Sequence, residues 1–585
     1  MKNKIVILII SVLFISGIPV FHTYVQNRTS WAGVIPSFAN DDVYYYARMQ
    51  NIVHGYPFIG NPYFFEHRQE ISPAFFVSDW LATAPIFIGI PFTVTVVVNF
   101  ILWSMIFSIF AYFLFIRYGL PRLLSVAWAL LSYAITYILI LRPVSMQVVA
   151  PFFLFFCITY AIWLKTKFPT RLQNILLTIS IALSFYIYTY LWQVIVVVCG
   201  LTTLFLIYRK EWIRLKYFII NGSIAGILAL PAIFYTLKQV SSPYYWETMT
   251  RIGLINTHIP TALSFYDSGM IFIILCLWSI SYMWTRSLRD NTEYVEAFIF
   301  VSLLGVALCI TLFSNVITGK ELEISNHIER FVTIWISISF LLYIWFAIKF
   351  RFEIYSLSFY KKGLIVLSFA VSIAIFVHFL FSDFSIKYII QKDTVSIQAY
   401  GAPLNWLNIN IPKESVVWSN GDIGEYIPIQ TTDFQLFNPA GGLHLVSNKE
   451  IEERYLISHY FDNLSVSDIE RDFRVYAGVG NSIHQYKTHN RRVKICILLY
   501  LKVFGVNCGE QTDAVSFKGE KYFADLYNQY KNDIYPNIIS ELRKYNVTYI
   551  IKDNKMGGIF YPEKIPHTKL LWNNDRFFIY SIQYQ

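Results

Sequence analysis

Residues 40–48 read Asn-Asp-Asp-Val-Tyr-Tyr-Tyr-Ala-Arg and open the only densely polar stretch in the first third of the chain, which runs on to His67. One hydrophobic segment precedes this stretch, and a long series of others follows it. Its two adjacent carboxylates, Asp41 and Asp42, are therefore expected to lie just outside a lipid bilayer.

The composition of the 585-residue chain sets its class. Hydrophobic residues make up 56% of it and charged residues only 14%, and a soluble protein does not bury that much apolar surface. The net charge of +10 is concentrated in short loops between apolar segments, where Lys and Arg set membrane topology. The sequence therefore predicts a polytopic α-helical membrane protein and argues against nucleic-acid binding.

Apolar runs long enough to cross the hydrocarbon core predict about eleven transmembrane helices. The first, Ile5–Phe21, follows a basic start and has no small-residue cleavage site after it, so we expect it to stay as a helix with a cytoplasmic N-terminus. The other ten predicted spans are Thr93–Ile116, Leu123–Leu141, Val144–Leu164, Ile175–Tyr190, Leu191–Tyr208, Tyr217–Leu237, Met270–Trp284, Tyr294–Phe313, Phe331–Ile348 and Leu364–Phe381.

The charges of the loops orient these spans. Loops assigned to the cytoplasm hold about 17 Lys and Arg residues against about 7 in the opposite loops, which is a strong positive-inside bias. This bias places the first loop (residues 22–92), residues 238–268, residues 314–329 and everything after Ser382 on the external face. We expect a multi-pass protein of the plasma membrane, because the short basic start carries no organelle signal.

The first loop contains a helix signal of its own. Asn40 or Asp41 is placed to cap this helix, and Gly55 follows its end. At helical spacing Asp41, Tyr45 and Arg48 share one face. Residues 74–90 are apolar but contain Asp79 and Pro85, so this stretch is expected along the membrane interface or dipping into it.

The composition changes after Ser382 to that of a soluble α/β domain, which gives two predicted domains, residues 1–382 and 383–585. A capping box, Ser447 with Glu450, predicts a helix that ends near His459. Cys496 and Cys508 are the one pair spaced for a disulfide, and the sequence leaves their state open. Strands are predicted at Val416–Trp418 and Val547–Ile551, and a hairpin at Leu570–Trp572 with Phe577–Ile582.

This plan resembles the C-type superfamily of membrane glycosyltransferases. A first helix, a long first external loop that opens with an acid, many further spans and a C-terminal soluble domain carry the resemblance. Residues 41–48, with Gly55 after them, look like the start of that loop in the catalytic subunit of oligosaccharyltransferase. The resemblance implies a sugar donor linked to a polyprenyl phosphate or diphosphate, and a lipid, polysaccharide or protein acceptor.

Two departures limit the resemblance to the superfamily. The second external loop, residues 141–147, has no carboxylate where that subunit has an acidic motif. Residues 418–424 read Trp-Ser-Asn-Gly-Asp-Ile-Gly instead of the subunit's Trp-Trp-Asp-Tyr-Gly signature. Recognition of an asparagine sequon is therefore not supported.

The implied chemistry assigns roles to residue types. Transfer from a lipid phosphate needs a base for the acceptor and cations for the leaving phosphate. Asp41 or Asp42 would be the base, with Arg48 and His67 nearby in the loop. The predicted phosphate ligands are Arg330, Arg142, Lys320 and His327. Asp42 and Glu66 supply oxygen ligands for Mg²⁺ or Mn²⁺.

Each role has a structural alternative. Asp41 and Asp42 could only cap a helix, Arg142 and Arg330 could only reach toward the membrane interface, and Glu66 and His67 could be ordinary loop residues. A transporter or flippase of lipid-linked glycans is the alternative function, but it should carry ionisable groups at the midplane of its spans. A third hypothesis is a non-catalytic assembly protein of the cell envelope.

Overall fold

A computed structural model describes residues 2–37, 41–259, 292–322, 324–351, 357–381 and 394–584. The predicted span Met270–Trp284, the predicted cap Asn40 and the predicted domain boundary at 382/383 lie outside these residues. Helices make up the N-terminal part, and the C-terminal part contains a five-stranded sheet.

Long apolar helices build the N-terminal part, and seven of those described are long and apolar enough to cross a membrane: α4, α5, α6, α8, α9, α11 and residues 327–346 of α13. The helices in chain order are α1 (Lys2–Asn27), α2 (Asp42–Val53), α3 (Val77–Phe87), α4 (Phe92–Arg117), α5 (Arg122–Leu141), α6 (Ser145–Lys165), α7 (Arg171–Ile187), α8 (Thr189–Tyr208), α9 (Trp212–Val240), α10 (Tyr245–Ile252), α11 (Thr292–Leu312), α12 (Ser314–Thr318), α13 (Ile324–Arg351) and α14 (Leu357–Phe381). The chain is thus a multi-pass membrane protein. Each predicted span within the described residues falls on a helix, except that Ile175–Tyr190 runs past the end of α7 at Ile187 into the start of α8. The count of eleven stays a prediction.

Charged residues of this bundle lie at the ends of its helices. At the end predicted to face the cytoplasm, Lys349 donates a 2.6 Å hydrogen bond to Glu293, and Lys165 lies 3.9 Å from Glu293 and Glu296. Between the two ends, buried aromatic and aliphatic side chains form one continuous core. Ionisable groups are therefore available for chemistry at the ends of the bundle.

The C-terminal part folds around one mixed sheet. Its strand order is β4-β3-β5-β7-β6, with β3 parallel to β4 and β5, and β7 antiparallel to both β5 and β6. The predicted strands and the predicted hairpin are confirmed. The strands of this sheet are β3 (Val416–Ser419), β4 (Phe434–Gln435), β5 (Val547–Asp553), β6 (Thr568–Asn573) and β7 (Phe577–Ile582); β1 (Leu254–Asn256) and β2 (Lys320–Leu322) form a separate antiparallel pair between the membrane helices.

Helices cover this sheet and connect its strands. Ser447 accepts a hydrogen bond from the backbone N–H of Glu450 at the predicted cap. The Glu450 carboxylate turns away from the cap toward the first loop, so only half of the predicted capping box forms. The helices are α15 (Gly401–Asn410), α16 (Ile423–Gln430), α17 (Asn448–Ser458), α18 (Val466–Arg471), α19 (Phe473–Val479), α20 (Gln485–Leu498), α21 (Ala514–Lys518), α22 (Glu520–Gln529) and α23 (Ile538–Lys544).

The first loop and the C-terminal part share one hydrophobic core. Tyr63 and Phe64 of the loop are buried in the same cluster as Trp418 of β3. Asn61 adds a buried hydrogen bond of 2.9 Å to the carbonyl of Gly441. The sheet domain therefore holds the first loop, and with it α2, against the end of the membrane helices.

Candidate functional site

The two adjacent carboxylates at the start of α2 face different surroundings. Asp41 precedes the helix with a positive φ of 66° and makes no side-chain cap, and its side chain is 51% exposed. Asp42 is fully buried, within electrostatic range of Tyr46 and Tyr426. Asp41 is therefore the member of the pair that solvent and a ligand can reach.

Arg142 holds the exposed carboxylate. Its guanidinium donates a hydrogen bond to Asp41 and lies 5.8 Å from the centre of the Tyr45 ring. Burial opposes the charged form of this arginine, but Tyr45 and Asp41 outweigh that effect and raise its pKa. The structure thus brings two sequence-predicted site residues into direct contact, with Arg142 a permanent cation.

Tyr188, between α7 and α8, connects Arg142 to two further predicted residues. Its hydroxyl lies within electrostatic range of both Arg142 and Arg330. The same hydroxyl shares a 2.5 Å hydrogen bond with Nδ1 of His327. Arg330 also donates to the hydroxyl of Ser145, at 3.5 Å. One tyrosine hydroxyl therefore lies among two guanidinium groups and an imidazole.

His327 and Lys320, two of the predicted phosphate ligands, each contact an aromatic ring. The His327 ring stacks on Tyr190 with centroids 4.2 Å apart. Lys320, on β2, places its ammonium 4.1 Å from the centre of the Trp246 ring of α10. The structure records no contact of the Lys320 ammonium with Asp41 or Arg142. Its phosphate-binding role stays a prediction.

Arg48 fixes the direction of α2. It is buried, and its guanidinium makes two parallel 2.8 Å hydrogen bonds to the buried carboxylate of Asp79 on α3. Tyr44 and Ser72 accept further hydrogen bonds from it at 3.2 and 3.0 Å. A bidentate pair of this kind adds geometric specificity to its strength, so Arg48 orients the helix that carries Asp41.

Glu66 and His67 point to the sheet domain. Glu66 accepts a 2.5 Å hydrogen bond from Arg454, which is fully buried between the rings of Phe64 and Tyr545. Arg454 also donates to Glu450, at 2.9 Å. This arginine therefore joins the first loop to α17.

His67 reinforces the same junction. Its two ring nitrogens lie 2.8 Å from Glu70 and 2.9 Å from Glu450. Burial lowers its pKa, but the hydrogen bonds to Glu450 and Glu70 outweigh burial and raise the pKa to about 9. The imidazole is thus a cation at neutral pH and binds the two carboxylates together.

The placement of Glu66 bears on the predicted metal site. The residues described contain no group of three or more His, Cys, Asp or Glu side chains that could hold a metal ion. Glu66 is bound to Arg454 and lies 3.2 Å from Asn546, whereas Asp42 is buried under α16. The structure does not test a metal role for Asp42 or Glu66, which stays a prediction.

The sheet domain contains a cleft of its own. It lies past the carboxyl ends of the parallel strands β3 and β4, has a volume of about 380 Å³, and is lined by Asp422, Glu425 and His459 among others. Tyr63 of the first loop lies within electrostatic range of Glu425 on the cleft side and of Asp41. Tyr63 is therefore within electrostatic range both of the Asp41 cluster and of a residue that lines the cleft.

Sequence reasoning missed three residues of this region: Tyr188, Arg454 and His444. His444 is buried, with its ring centre 5.9 Å from that of Tyr44, and neither ring nitrogen has a hydrogen-bond partner among the described residues. Burial, with Arg48 and His67 adding to it, lowers its pKa well below the usual value. The single available signal was a polar Tyr-Thr-Tyr break at residues 188–190 inside an apolar run.

Comparisons with known proteins give structural neighbours only. No protein-family model matches the chain, and no curated protein matches it either. The structure is similar to that of the oligosaccharyltransferase of Archaeoglobus fulgidus in its apo form, with 13% identity, a TM-score of 0.42, and coverage of 94% of this chain and 70% of that one. It is similar to the same archaeal enzyme, AglB, in complex with an inhibitory peptide and a dolichol-phosphate, with 12% identity, a TM-score of 0.42, and coverage of 95% and 70%. A complex of that enzyme with Zn and sulfate matches with 12% identity, a TM-score of 0.42, and coverage of 94% and 68%.

Proposed function

We propose that this protein is a membrane glycosyltransferase that moves a sugar from a polyprenyl-phosphate-linked donor to an acceptor at the predicted external face. The observation that carries the proposal is the contact of Asp41 with Arg142, close to Tyr188 and Arg330. A reachable carboxylate beside two fixed guanidinium groups matches the needs of a base and of an anionic leaving group.

The bond changes follow from these positions. Asp41 takes the proton from the acceptor nucleophile, which forms a bond to the anomeric carbon of the sugar. The bond between that carbon and the phosphate oxygen breaks, and its electron pair stays on the phosphate. Arg142 and Arg330 stabilise this anion, because guanidinium groups bind phosphate oxygens in a forked geometry.

The contact between Arg142 and Asp41 also orders the events. A donor phosphate that binds Arg142 competes with Asp41 for the same guanidinium. Since Asp41 is half-exposed, it can leave this contact without opening the core. Donor binding would thus free the base beside the bound sugar.

The lipid chain of the donor and the acceptor would occupy two surfaces near the proposed site. Leu141 and Pro143, on either side of Arg142 in the sequence, line a small apolar recess together with Val96 and Phe100 of α4, and the first isoprene units of the lipid would lie against these side chains. The polar cleft past β3 and β4 suits the acceptor, since ligands of open α/β sheets bind beyond the carboxyl ends of the strands.

The test is transfer of radiolabel from a panel of polyprenyl-phosphate sugars in membranes that hold the full chain. We expect Asp41→Asn to lower transfer by about a hundredfold or more, the usual range for loss of a general base. Asp42→Asn is measured beside it to separate the two acids, and each membrane is measured with and without EDTA to detect a contribution from a divalent cation. Asp575→Asn, in the exposed turn between β6 and β7, is the matched control and should keep full transfer.

Two results would contradict the proposal. Full transfer by the Asp41→Asn and Asp42→Asn variants, at normal membrane levels, would remove the carboxylates from the reaction. A wild-type chain that turns over no donor, while lipid-linked sugar crosses the bilayer of vesicles that contain it, would indicate a flippase.

A further inference from the structure

A disulfide closes an apolar loop on the surface of the sheet domain. Cys496 and Cys508 are joined, and residues 496–508 are called the disulfide loop below. Phe504 is 79% exposed and Leu498 is 75% exposed. The other exposed large apolar side chains of the loop are Ile497, Leu499, Tyr500, Val503 and Val506. So many apolar side chains in one exposed loop mark an interaction site.

The surroundings of the disulfide loop are strongly basic. Residues 485–509, which comprise α20 and the loop, contain five Lys and Arg residues and no Asp or Glu. The basic residues are Lys487, Arg491, Arg492, Lys494 and Lys502. Four of them, Lys487, Arg492, Lys494 and Lys502, are exposed. The segment therefore combines an exposed apolar loop with a positively charged helix.

Contacts place α20 beside the ends of membrane helices. Arg492 donates a hydrogen bond of 3.3 Å to the carbonyl of Asn256 on β1. Two residues further on, Nδ1 of His258 lies 3.0 Å from the carbonyl oxygen of Val316 on α12. The helix α12 follows the candidate span α11 after a single residue. The basic helix is therefore held next to the point where that span ends.

We propose that the disulfide loop inserts its apolar tip into the interfacial region of the anionic lipid leaflet that faces the sheet domain. The basic residues around it would bind lipid phosphates, while Leu498, Tyr500 and Phe504 enter the acyl boundary. Apolar side chains flanked by Lys and Arg are typical of segments that lie in a membrane interface. The anchor would steady the sheet domain over the bilayer, and it is separate from the proposed reaction.

The choice of lipid over a protein partner follows from charge. Cores of protein interfaces are depleted of Lys, whereas Lys494 precedes the disulfide loop and Lys502 lies within it. An anionic membrane surface complements these charges along the whole segment. A second copy of the chain would bring the same positive charges against one another.

The experiment uses the full chain in nanodiscs that contain an anionic phospholipid with a clickable acyl chain. Phe504 is replaced by p-benzoylphenylalanine, which keeps an aromatic side chain and leaves the disulfide in place. Tyr535, a half-exposed aromatic of the same domain outside the basic segment, receives the same replacement as the control. We expect lipid cross-linking on illumination to be about tenfold higher at position 504 than at position 535.

A second arm tests the charges. The double substitution Lys494→Glu with Lys502→Glu, or nanodiscs of zwitterionic lipid alone, should lower cross-linking at position 504 by about threefold or more. Equal cross-linking at positions 504 and 535, no lipid adduct at 504, or an adduct with a second copy of the chain would overturn the proposal.

Discussion

Asp41 accepts a hydrogen bond from Arg142, although 101 residues of chain separate them. The aspartate precedes α2 and is one of its predicted caps, yet its carboxylate leaves the helix and crosses to the loop between α5 and α6. A carboxylate that only capped a helix would bond to backbone N–H groups of the first turn. The pairing with Arg142 therefore argues that Asp41 has a functional role and does not merely cap α2.

Arg142 should be needed for sugar transfer. Arg142→Ala removes a fixed donor for the leaving phosphate, and we expect transfer to fall by about a hundredfold. Arg142→Lys keeps the charge but loses the forked geometry, so its transfer should lie between that of the wild-type chain and that of Arg142→Ala. Radiolabel transfer in membranes measures both variants, with Arg28→Ala, at an exposed arginine of the first loop, as the control.

The coupling between the two residues can be measured directly. If Arg142 holds Asp41 for the reaction, the losses in Arg142→Ala and Asp41→Asn should not add in the double variant. Strictly additive losses would show that the two side chains act independently.

Tyr188 should matter through its hydroxyl. Tyr188→Phe keeps the ring beside Tyr190 and Phe331 but removes the hydroxyl that is hydrogen-bonded to His327 and lies within electrostatic range of both arginines. We expect transfer to fall by about tenfold, the scale of one hydrogen bond among charged groups. Tyr186→Phe, whose hydroxyl donates to the backbone carbonyl of Leu228, should transfer normally; equal losses in both variants would refute a role for Tyr188.

Arg454 should hold the sheet domain on the first loop. Its guanidinium is fully buried between two acids and two rings, so Arg454→Met leaves Glu66 and Glu450 without their shared cation. We expect a loss of about 3 kcal/mol in the free energy of unfolding, seen as a lower thermal midpoint and faster proteolysis of the domain. Arg471→Met, at a solvent-exposed arginine paired with Asp468, should leave the midpoint unchanged.

His67 makes this junction sensitive to pH. Its folded pKa of about 9 is above its ordinary value of 6.5, so its contribution to stability is complete below pH 6.5 and is lost as pH rises through 9. Thermal midpoints measured from pH 6 to pH 10 should therefore fall toward the alkaline end. In His67→Gln the thermal midpoint should no longer be higher at pH 6 than at pH 10. An unchanged pH profile in that variant would assign the pH dependence to other groups.

Local patterns predicted most of the elements. Each predicted span within the described residues is helical, because a long apolar run in lipid must satisfy its backbone internally. The hairpin at β6 and β7 was also readable, since Asn573, Asn574 and Asp575 favour a turn between two apolar strands. These features depend on neighbours in sequence alone.

The functional pairings were only partly predictable. Asp41, Arg142, Arg330 and His327 were candidates because they are polar residues at one predicted end of the spans. The meeting of Arg142, Arg330 and His327 around Tyr188 was not predictable, because the polar break at residues 188–190 does not reveal which distant residues pack against it. The sequence predicted a full capping box at Ser447, but only half of it forms. The Glu450 side chain instead binds His67, which lies 383 positions earlier in the first loop.

The bond between Glu66 and Arg454 also has a consequence for how the chain is made. These residues are 388 positions apart, so a ribosome adding about 5–20 residues per second needs roughly 20–80 seconds to supply the arginine after the glutamate. During that interval the first loop, predicted to be external, lacks the domain that fixes it. The proposed site would therefore assemble only at the end of synthesis, which keeps an unfinished chain from acting on lipid-linked sugar.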